Sequence, residues 1–214
     1  MQWPVSSGLW SVQDFRIRTC MIILASASPR RQELLRNAGI QFTVKPADID
    51  EVPVAGESPR ECAERLAREK ALAIFQSEPQ SYVLGADTIV VVDDAILGKP
   101  RDAEDAACML RLLSGRTHAV ITGVCLVSPV ASGQLPVAST TKIVSERTAV
   151  TMCSLSDDEI RDYVATGEPM DKAGAYAIQG IASRWIPRIE GDYSNVVGLP
   201  VARVYAMLRE RGVV

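Results

Sequence analysis

The sequence is poor in the residues that build metal clusters and disulfide frameworks. Its 214 residues include one histidine, His118, and five cysteines, an odd number spread far apart along the chain. No CxxC motif and no cysteine–histidine pair indicates zinc. Scattered thiols are typical of a reducing compartment, so the sequence predicts a cytoplasmic protein without a structural zinc site.

Long hydrophobic runs and an excess of positive charge are also missing. The longest apolar runs, such as 88–92, have the length of a strand and are far too short to span a membrane. Lys and Arg total 23 against 26 Asp and Glu, for a net charge of −3. We therefore expect neither a membrane nor a nucleic acid polymer as partner, whereas a small anionic ligand needs only a few local cations.

What the chain does contain is a composition suited to a folded core, with 47% hydrophobic and 23% charged residues. Residues 1–20 have neither a signal-peptide pattern nor a regular hydrophobic period, and they are predicted to be a disordered N-terminal extension. From residue 21 onward, strand and helix patterns alternate without a linker or a repeat. We expect one α/β domain over 21–214.

Capping residues and hydrophobic periods predict the individual elements. The apolar stretch 82–92 contains one acidic residue and is predicted as two adjoining strand segments. The Pro-, Gly- and Ser-rich stretch 128–141 is predicted to be a hairpin loop. The predicted helices are 30–37, 59–76, 102–113, 157–165 and 199–211, and the main strands are 22–25, 42–45, 82–86, 88–92, 117–127, 142–151 and 185–189.

A first candidate site lies where a strand meets a helix N-terminus. Ser26, Ser28, Arg30 and Arg31 combine two hydroxyls and two guanidinium groups with free backbone N–H groups, a combination that suits phosphate. Their spacing matches neither the P-loop nor the Rossmann fingerprint. The alternative interpretation is structural, because Ser-Pro-Arg is a common way to begin a helix.

A second candidate is Asp87, which stands inside an otherwise apolar strand pair. An isolated buried carboxylate is costly, so Asp87 must be solvated in a cleft, paired or bound to a metal. The alternative is a bulge or an edge turn in which Asp87 bonds to the backbone. Glu51, Lys70 and Lys99 complete the set of charges expected for Mg²⁺-assisted attack on a phosphate, although each of the three by itself could be an ordinary surface charge.

A glycine- and alanine-rich stretch at 167–180 allows close backbone approach to a ligand. Gln179 within it carries an amide that can hydrogen-bond to the edge of a base. A tight structural loop would have the same composition. His118 begins a strand and is predicted to be structural.

Taken in order, these segments resemble the Maf protein family. The resemblance extends from residue 22 to about residue 211, and it depends on the ordered set because each segment alone is weak. The segments are SASPRR (26–31), AREKA (67–71), GADTIV (85–90), GKP (98–100), DKAGAY (171–176), IQG (178–180), GDY (191–193) and GLP (198–200).

The resemblance implies a nucleoside triphosphate pyrophosphatase. Its fold would be a mixed, twisted central sheet flanked by helices, similar to the ITPase type and with a deep cleft. Such enzymes cleave between the α- and β-phosphates with a divalent cation, Mg²⁺ or Mn²⁺. Asp87 aligns with the family's proton acceptor and, with Glu51, is assigned to the metal. Asp48 and Asp50 share the loop of Glu51.

The same resemblance assigns residues that bind the substrate. Ser26, Arg31, Lys70 and Lys99 align with positions near the phosphates, whereas Arg30, Thr88 and Gln179 align with positions linked to substrate choice. Their identities resemble the subgroup that acts on dTTP and UTP.

Three further expectations accompany this assignment. A 7-methyl-GTP-type pyrophosphatase is one alternative, and a nucleotide-binding regulator of cell division with incidental catalysis is another. A homodimer is compatible with the sequence.

Overall fold

The structure is a computed structural model that describes residues 21–93, 95–130 and 139–214. The predicted extension 1–20 and the tip of the predicted hairpin loop lie outside the described residues. The strands are β1 (Ile22–Leu24), β2 (Phe42–Val44), β3 (Val83–Val92), β4 (Ala95–Leu97), β5 (Thr117–Pro129), β6 (Ser139–Thr151) and β7 (Arg188–Glu190). The α-helices are α1 (Pro29–Asn37), α2 (Pro59–Ser77), α3 (Ala103–Leu113), α4 (Asp157–Ala165), α5 (Tyr193–Val197) and α6 (Val201–Glu210).

The strands form one mixed sheet in the order β2-β1-β3-β5-β6-β7, with β4 paired to β3 as a side branch. Strand β1 runs parallel to β2 and β3, and the remaining pairs are antiparallel. Helix α2 packs on one face of the sheet, while α1 and α6 cover the other face beside β1 and β3. The predicted α/β class, with a mixed central sheet flanked by helices, is confirmed.

The capping signals in the sequence predicted two helix starts correctly. Ser58 and Glu61 form a capping box at the start of α2, and Ser156 and Glu159 form the same box at the start of α4. In each box the serine side chain accepts from a backbone N–H that the helix leaves without a partner. No helix of the described residues is long and apolar enough to cross a membrane.

Two predictions about strands were wrong. Strand β3 runs without interruption through Asp87, which pairs in register with Gly123 of β5, so the alternative of a bulge or turn at Asp87 is excluded. The strand predicted at 185–189 is a 3₁₀ turn over Ile181–Trp185 followed by the short β7. Trp185 is buried against Tyr163, and its indole N–H donates to Glu159, so the start of this apolar run fills the core and only Arg188–Glu190 joins the sheet.

Helix α2 packs so closely on the sheet that its backbone nearly touches two glycines. A Cβ atom added to Gly85 of β3 would lie 2.2 Å from the carbonyl oxygen of Ala67, and one added to Gly123 of β5 would lie 2.2 Å from that of Ala63. Both contacts involve helix backbone, which cannot rotate out of the way as a side chain can. The small residues on both elements therefore set the distance between α2 and the sheet.

We expect Gly85→Ala to lower the free energy of unfolding by about 1–3 kcal/mol, because an extra methyl group in a filled contact forces the helix outward. Urea denaturation followed by circular dichroism measures the loss. Gly98→Ala is the matched control, since a Cβ atom at Gly98 has no neighbour within 4 Å. Equal stability of the two variants would contradict the close packing of α2.

His118 lies in β5 with its side chain buried, and its Nε2 is 2.7 Å from the hydroxyl oxygen of Tyr176. Burial lowers the pKa of the imidazole to about 4, so it is neutral at pH 7. These contacts place His118 in the core cluster beneath α3, in agreement with its predicted structural role.

Candidate active site

A large cleft opens where the sheet leaves one edge of β3 without a partner strand in the described part of the chain. Strand β1 pairs with β3 only at Val83 and Leu84, and β4 pairs with the same edge only at 90–92. Between these two partners no strand of the described part of the chain covers 85–89 on this side. The resulting cleft has a volume of about 950 Å³ and lies at the carboxyl end of β1, beside the N-terminus of α1, where ligands commonly bind in α/β sheets.

Successive side chains of β3 point to opposite faces of the sheet, and the open edge lets both faces contribute to one cleft. Asp87 points toward α2, where it meets Lys70, whereas Thr88 points to the other face, where it meets Arg31. The nine residues that the family resemblance assigns to a site all line this cleft: Ser26, Arg30, Arg31, Glu51, Lys70, Asp87, Thr88, Lys99 and Gln179.

On the α2 face, one ammonium group bridges two carboxylates. Lys70 Nζ lies 2.5 Å from Asp87 Oδ1 and 2.5 Å from Glu51 Oε1, and Lys99 Nζ lies 3.2 Å from Glu51 Oε2. The side chains of Lys70 and Asp87 are only 8% and 9% exposed. The alternative that Lys70 is an ordinary surface charge is therefore wrong, and Asp87 is paired with Lys70 in the wall of the cleft.

Glu51 responds to two opposing influences. Partial burial acts to raise the pKa of its carboxyl group, but the hydrogen bond and charge of Lys70, together with Lys99, outweigh it and leave the pKa below its usual value. Glu51 is therefore ionised at neutral pH.

On the other face, the Arg31 guanidinium is buried and donates hydrogen bonds to three neutral groups. Its Nε donates to the Gly198 carbonyl at 2.8 Å, its Nη1 to Ser26 Oγ at 3.0 Å and its Nη2 to Thr88 Oγ1 at 3.0 Å. Burial lowers the pKa of this side chain, yet arginine stays protonated in proteins. Among the described residues, three of its five N–H groups donate to uncharged acceptors, and the other two can donate to an anion.

The backbone around Arg31 reinforces this positive potential. Ser28 is the N-cap of α1, its side chain accepts from the backbone N–H of Arg31, and Pro29 occupies the first turn. Ser26 Oγ accepts from the backbone N–H of Ser28 at 3.3 Å as well as from Arg31. A helix N-terminus and a buried guanidinium therefore meet at one end of the cleft, which suits phosphate oxygens.

The segment 167–180 closes a further side of the cleft. Asp171 forms an ion pair with Arg30 at 3.7 Å, so this segment contacts the N-terminal part of α1. Glu168 holds the segment in shape, because its carboxylate accepts from the backbone N–H of Ile181 at 3.1 Å and from the Tyr163 hydroxyl at 2.9 Å. Gln179 stands just before this anchor and lines the cleft.

The described residues contain no group of three or more His, Cys, Asp or Glu side chains that could hold a metal by themselves. The acidic pair nevertheless suits a hard cation, since oxygens of Glu51 and Asp87 already converge on the single positive charge of Lys70. Mg²⁺ in nucleotide sites takes one or two carboxylates and completes its shell with phosphate oxygens and water. The donors present therefore fit Mg²⁺ or Mn²⁺ accompanied by a nucleotide.

Sequence reasoning missed three groups that support this site. They are the Gly198 carbonyl, Thr122 of β5 and Asn195 of α5, which form a buried set of hydrogen bonds behind Arg31. Thr122 lies more than 30 residues from Thr88 in the chain and has no local motif around it. Asn195 falls between the GDY and GLP segments, and only its complete burial distinguishes it from a helix-surface residue.

Fold and cleft together define an α/β protein in which one cleft holds a buried guanidinium and a carboxylate pair. The profile described as Maf-like protein matches residues 21–211, and the chain belongs to this family. It is 57% identical over 192 residues to the dTTP/UTP pyrophosphatase of Koribacter versatilis, covering 90% of this chain and 95% of that protein.

Other comparisons extend this result. The dTTP/UTP pyrophosphatase of Geobacillus sp. is 49% identical, over 89% of this chain and 98% of that protein. Among solved structures, the Staphylococcus aureus Ham1 protein aligns with a TM-score of 0.44 and 14% identity, over 89% of this chain and 99% of that one.

Proposed function

We propose that this protein hydrolyses dTTP and UTP to the nucleoside monophosphate and pyrophosphate. The observation that carries the proposal is the buried Arg31 guanidinium, whose hydrogen-bond acceptors in the described part of the chain are all neutral and which faces a cleft that also holds the Asp87–Lys70–Glu51 group. Curated relatives at 49–57% identity bear the name dTTP/UTP pyrophosphatase, which supports the choice of substrates.

In this proposal the phosphate chain lies along the cationic side chains. Arg31, with Ser26 and the N-terminus of α1, binds phosphate oxygens at one end, and Lys70 and Lys99 neutralise charge at the other. Asp87 accepts the proton of the attacking water, because it is the carboxylate that the open edge of β3 presents to the cleft. Glu51 and Asp87 would hold the divalent cation, which supplies charge neutralisation at the phosphates when bound.

The test is a panel of nucleoside triphosphates assayed with Mg²⁺ or Mn²⁺, with monophosphate, diphosphate, pyrophosphate and orthophosphate separated by chromatography. UTP and dTTP are expected to give monophosphate and pyrophosphate in equal amounts, and EDTA is expected to stop the reaction. Diphosphate with orthophosphate would mean cleavage at the γ-phosphate and would exclude the proposed reaction. A preference for 7-methyl-GTP would exclude the proposed substrates.

Gln179 is proposed to select the base, since its amide can pair with the O4 and N3–H edge that thymine and uracil share. We expect Gln179→Ala to lower kcat/KM for dTTP and UTP relative to CTP and GTP by about 2- to 10-fold, the equivalent of one hydrogen bond to a neutral group. Steady-state kinetics on the four nucleotides measure this ratio.

Gln32→Ala is the matched control, because Gln32 is an amide on the outer side of α1 that bonds to Arg36 and to the Ala27 carbonyl. The competing interpretation is that Gln179 only braces its loop. A uniform fall in kcat/KM on all four nucleotides would support that interpretation and remove Gln179 from the residues that select the base.

A further inference from the structure

We infer that Thr122 and Asn195, which lie behind the cleft, are positioning residues that preset the Arg31 guanidinium for a phosphate group. Both are completely buried, and they come from different elements, β5 and α5. The inference deepens the proposed function, because it names what holds the proposed phosphate-binding cation in place.

A one-way chain of hydrogen bonds connects Arg31 to these residues. Arg31 can only donate, so Thr88 Oγ1 accepts from it at 3.0 Å. The Thr122 hydroxyl donates its one proton to the backbone carbonyl of Asn195 at 3.1 Å. The 3.0 Å contact between the two threonine hydroxyls is then a hydrogen bond only if Thr88 donates and Thr122 accepts.

The direction of this chain matters for Arg31. Removing the Thr122 hydroxyl leaves the Thr88 proton one other acceptor, the Gly198 carbonyl at 3.3 Å. That carbonyl already accepts from Arg31 Nε at 2.8 Å. Thr122 thus offers the Thr88 proton a nearer acceptor than Gly198, which fixes the orientation of the hydroxyl that accepts from Arg31.

Asn195 fixes the position of the Gly198 carbonyl itself. Its amide Nδ2 donates to the Val120 carbonyl and to Thr148 Oγ1, each at 3.0 Å, which attaches α5 to strands β5 and β6. Its own carbonyl accepts from the backbone N–H of Gly198 at 3.0 Å. The turn that carries the Gly198 carbonyl is therefore anchored to the middle of the sheet.

These contacts explain how a buried cation can be held by neutral hydrogen-bond acceptors, with the Asp87 and Glu51 carboxylates acting on it only through their charge. The three oxygens that accept from Arg31 belong to Ser26, Thr88 and Gly198. Each of these residues is held in place by a further hydrogen bond of its own. Preorganisation of this kind lowers the entropic cost of binding, because the side chain is already ordered before the ligand arrives. Loosening the chain at Thr122 should therefore weaken phosphate binding without removing the charge.

The test compares Thr122→Val, which keeps the shape and removes the hydroxyl, with Thr122→Ser, which restores it. We expect Thr122→Val to raise the dissociation constant of the α,β-methylene analogue of UTP by about 3- to 10-fold, the effect of one lost hydrogen bond. Thr122→Ser is expected to bind within about 2-fold of the unaltered protein. Isothermal titration calorimetry with Mg²⁺ measures all three constants.

Ser128→Ala is the matched control, since Ser128 is a buried hydroxyl of the same strand whose Oγ has no hydrogen-bond partner among the described residues. It is expected to bind the analogue like the unaltered protein. If Thr122→Val lowers the melting temperature but leaves the dissociation constant unchanged, Thr122 has only a structural role and the inference is overturned.

A second measurement uses the unaltered protein and does not depend on a variant that folds. The Arg31 Nε–H group should give a slowly exchanging NMR signal without nucleotide, because its acceptor is fixed in advance, and rapid exchange would overturn the inference. Failure of the proposed function has a different signature, in which the protein binds the analogue but does not cleave UTP between the α- and β-phosphates.

Discussion

Replacing Asp87 by asparagine is expected to lower kcat for UTP by about 10²- to 10⁴-fold, the range for losing a general base, while the nucleotide still binds. Asparagine keeps the shape of the side chain, and its carbonyl oxygen can still accept from Lys70 Nζ, which lies 2.5 Å from Asp87 Oδ1. What it loses is the ability to take a proton from water. Quenched-flow or steady-state assays give kcat, and calorimetry with the α,β-methylene analogue gives binding.

Asp93→Asn is the matched control for this experiment. Asp93 follows the same strand, is exposed and pairs with Arg116 outside the cleft. Its left-handed backbone (φ 46°) is one that asparagine adopts readily, so the control should keep the activity of the unaltered protein. Turnover by Asp87→Asn equal to that of the control would refute the role of Asp87 as base. It would also favour a nucleotide-binding regulator with incidental catalysis.

Replacing Lys70 by methionine is expected to lower the free energy of unfolding by about 3–5 kcal/mol at pH 7, the usual cost of removing one partner of a buried ion pair. The Asp87 carboxylate would then be buried without the ammonium that neutralises it. Methionine fills nearly the same volume, so the loss reports on charge and not on a cavity. Urea denaturation of the two proteins at pH 7 measures the difference.

Lys99→Met is the matched control, because it also removes a lysine that pairs with Glu51, but the Lys99 side chain is 60% exposed. Comparing the two variants therefore shows how much of the loss depends on burial. Exposed pairs contribute about 0–1 kcal/mol, so this variant should unfold nearly like the unaltered protein. If Lys70→Met and Lys99→Met lower the free energy of unfolding equally, burial of the Lys70–Asp87 pair does not explain the loss in the Lys70 variant.

Local chemistry determined much of this molecule in advance. The capping boxes at Ser58 and Ser156 predicted the starts of α2 and α4, since a capping serine and a glutamate three residues later satisfy helix N–H groups without help from distant residues. The costly placement of Asp87 in an apolar strand predicted that it would be paired or part of a site. The order of the Maf-like segments predicted the family, which the comparisons confirm.

The sequence failed where the outcome depended on contacts between distant segments. The run at 185–189 has the apolar composition of a strand, but Trp185 packs on Tyr163 in the core and only Arg188–Glu190 joins the sheet. A pattern of single residues cannot tell a strand from an irregular segment when both bury the same side chains.

By itself, then, the sequence determined the α/β class and the family, and it singled out nine side chains that line the cleft. Only the tertiary structure decided how they meet: β1 and β4 leave one edge of β3 open, so Asp87 and Thr88 reach the same cleft from opposite faces of a strand. Likewise, the contact of α2 with Gly85 and Gly123 brings Lys70 to Asp87. The physical reason is that strand pairing and close packing depend on contacts between residues that are distant in the sequence, and a local sequence pattern contains no information about those contacts.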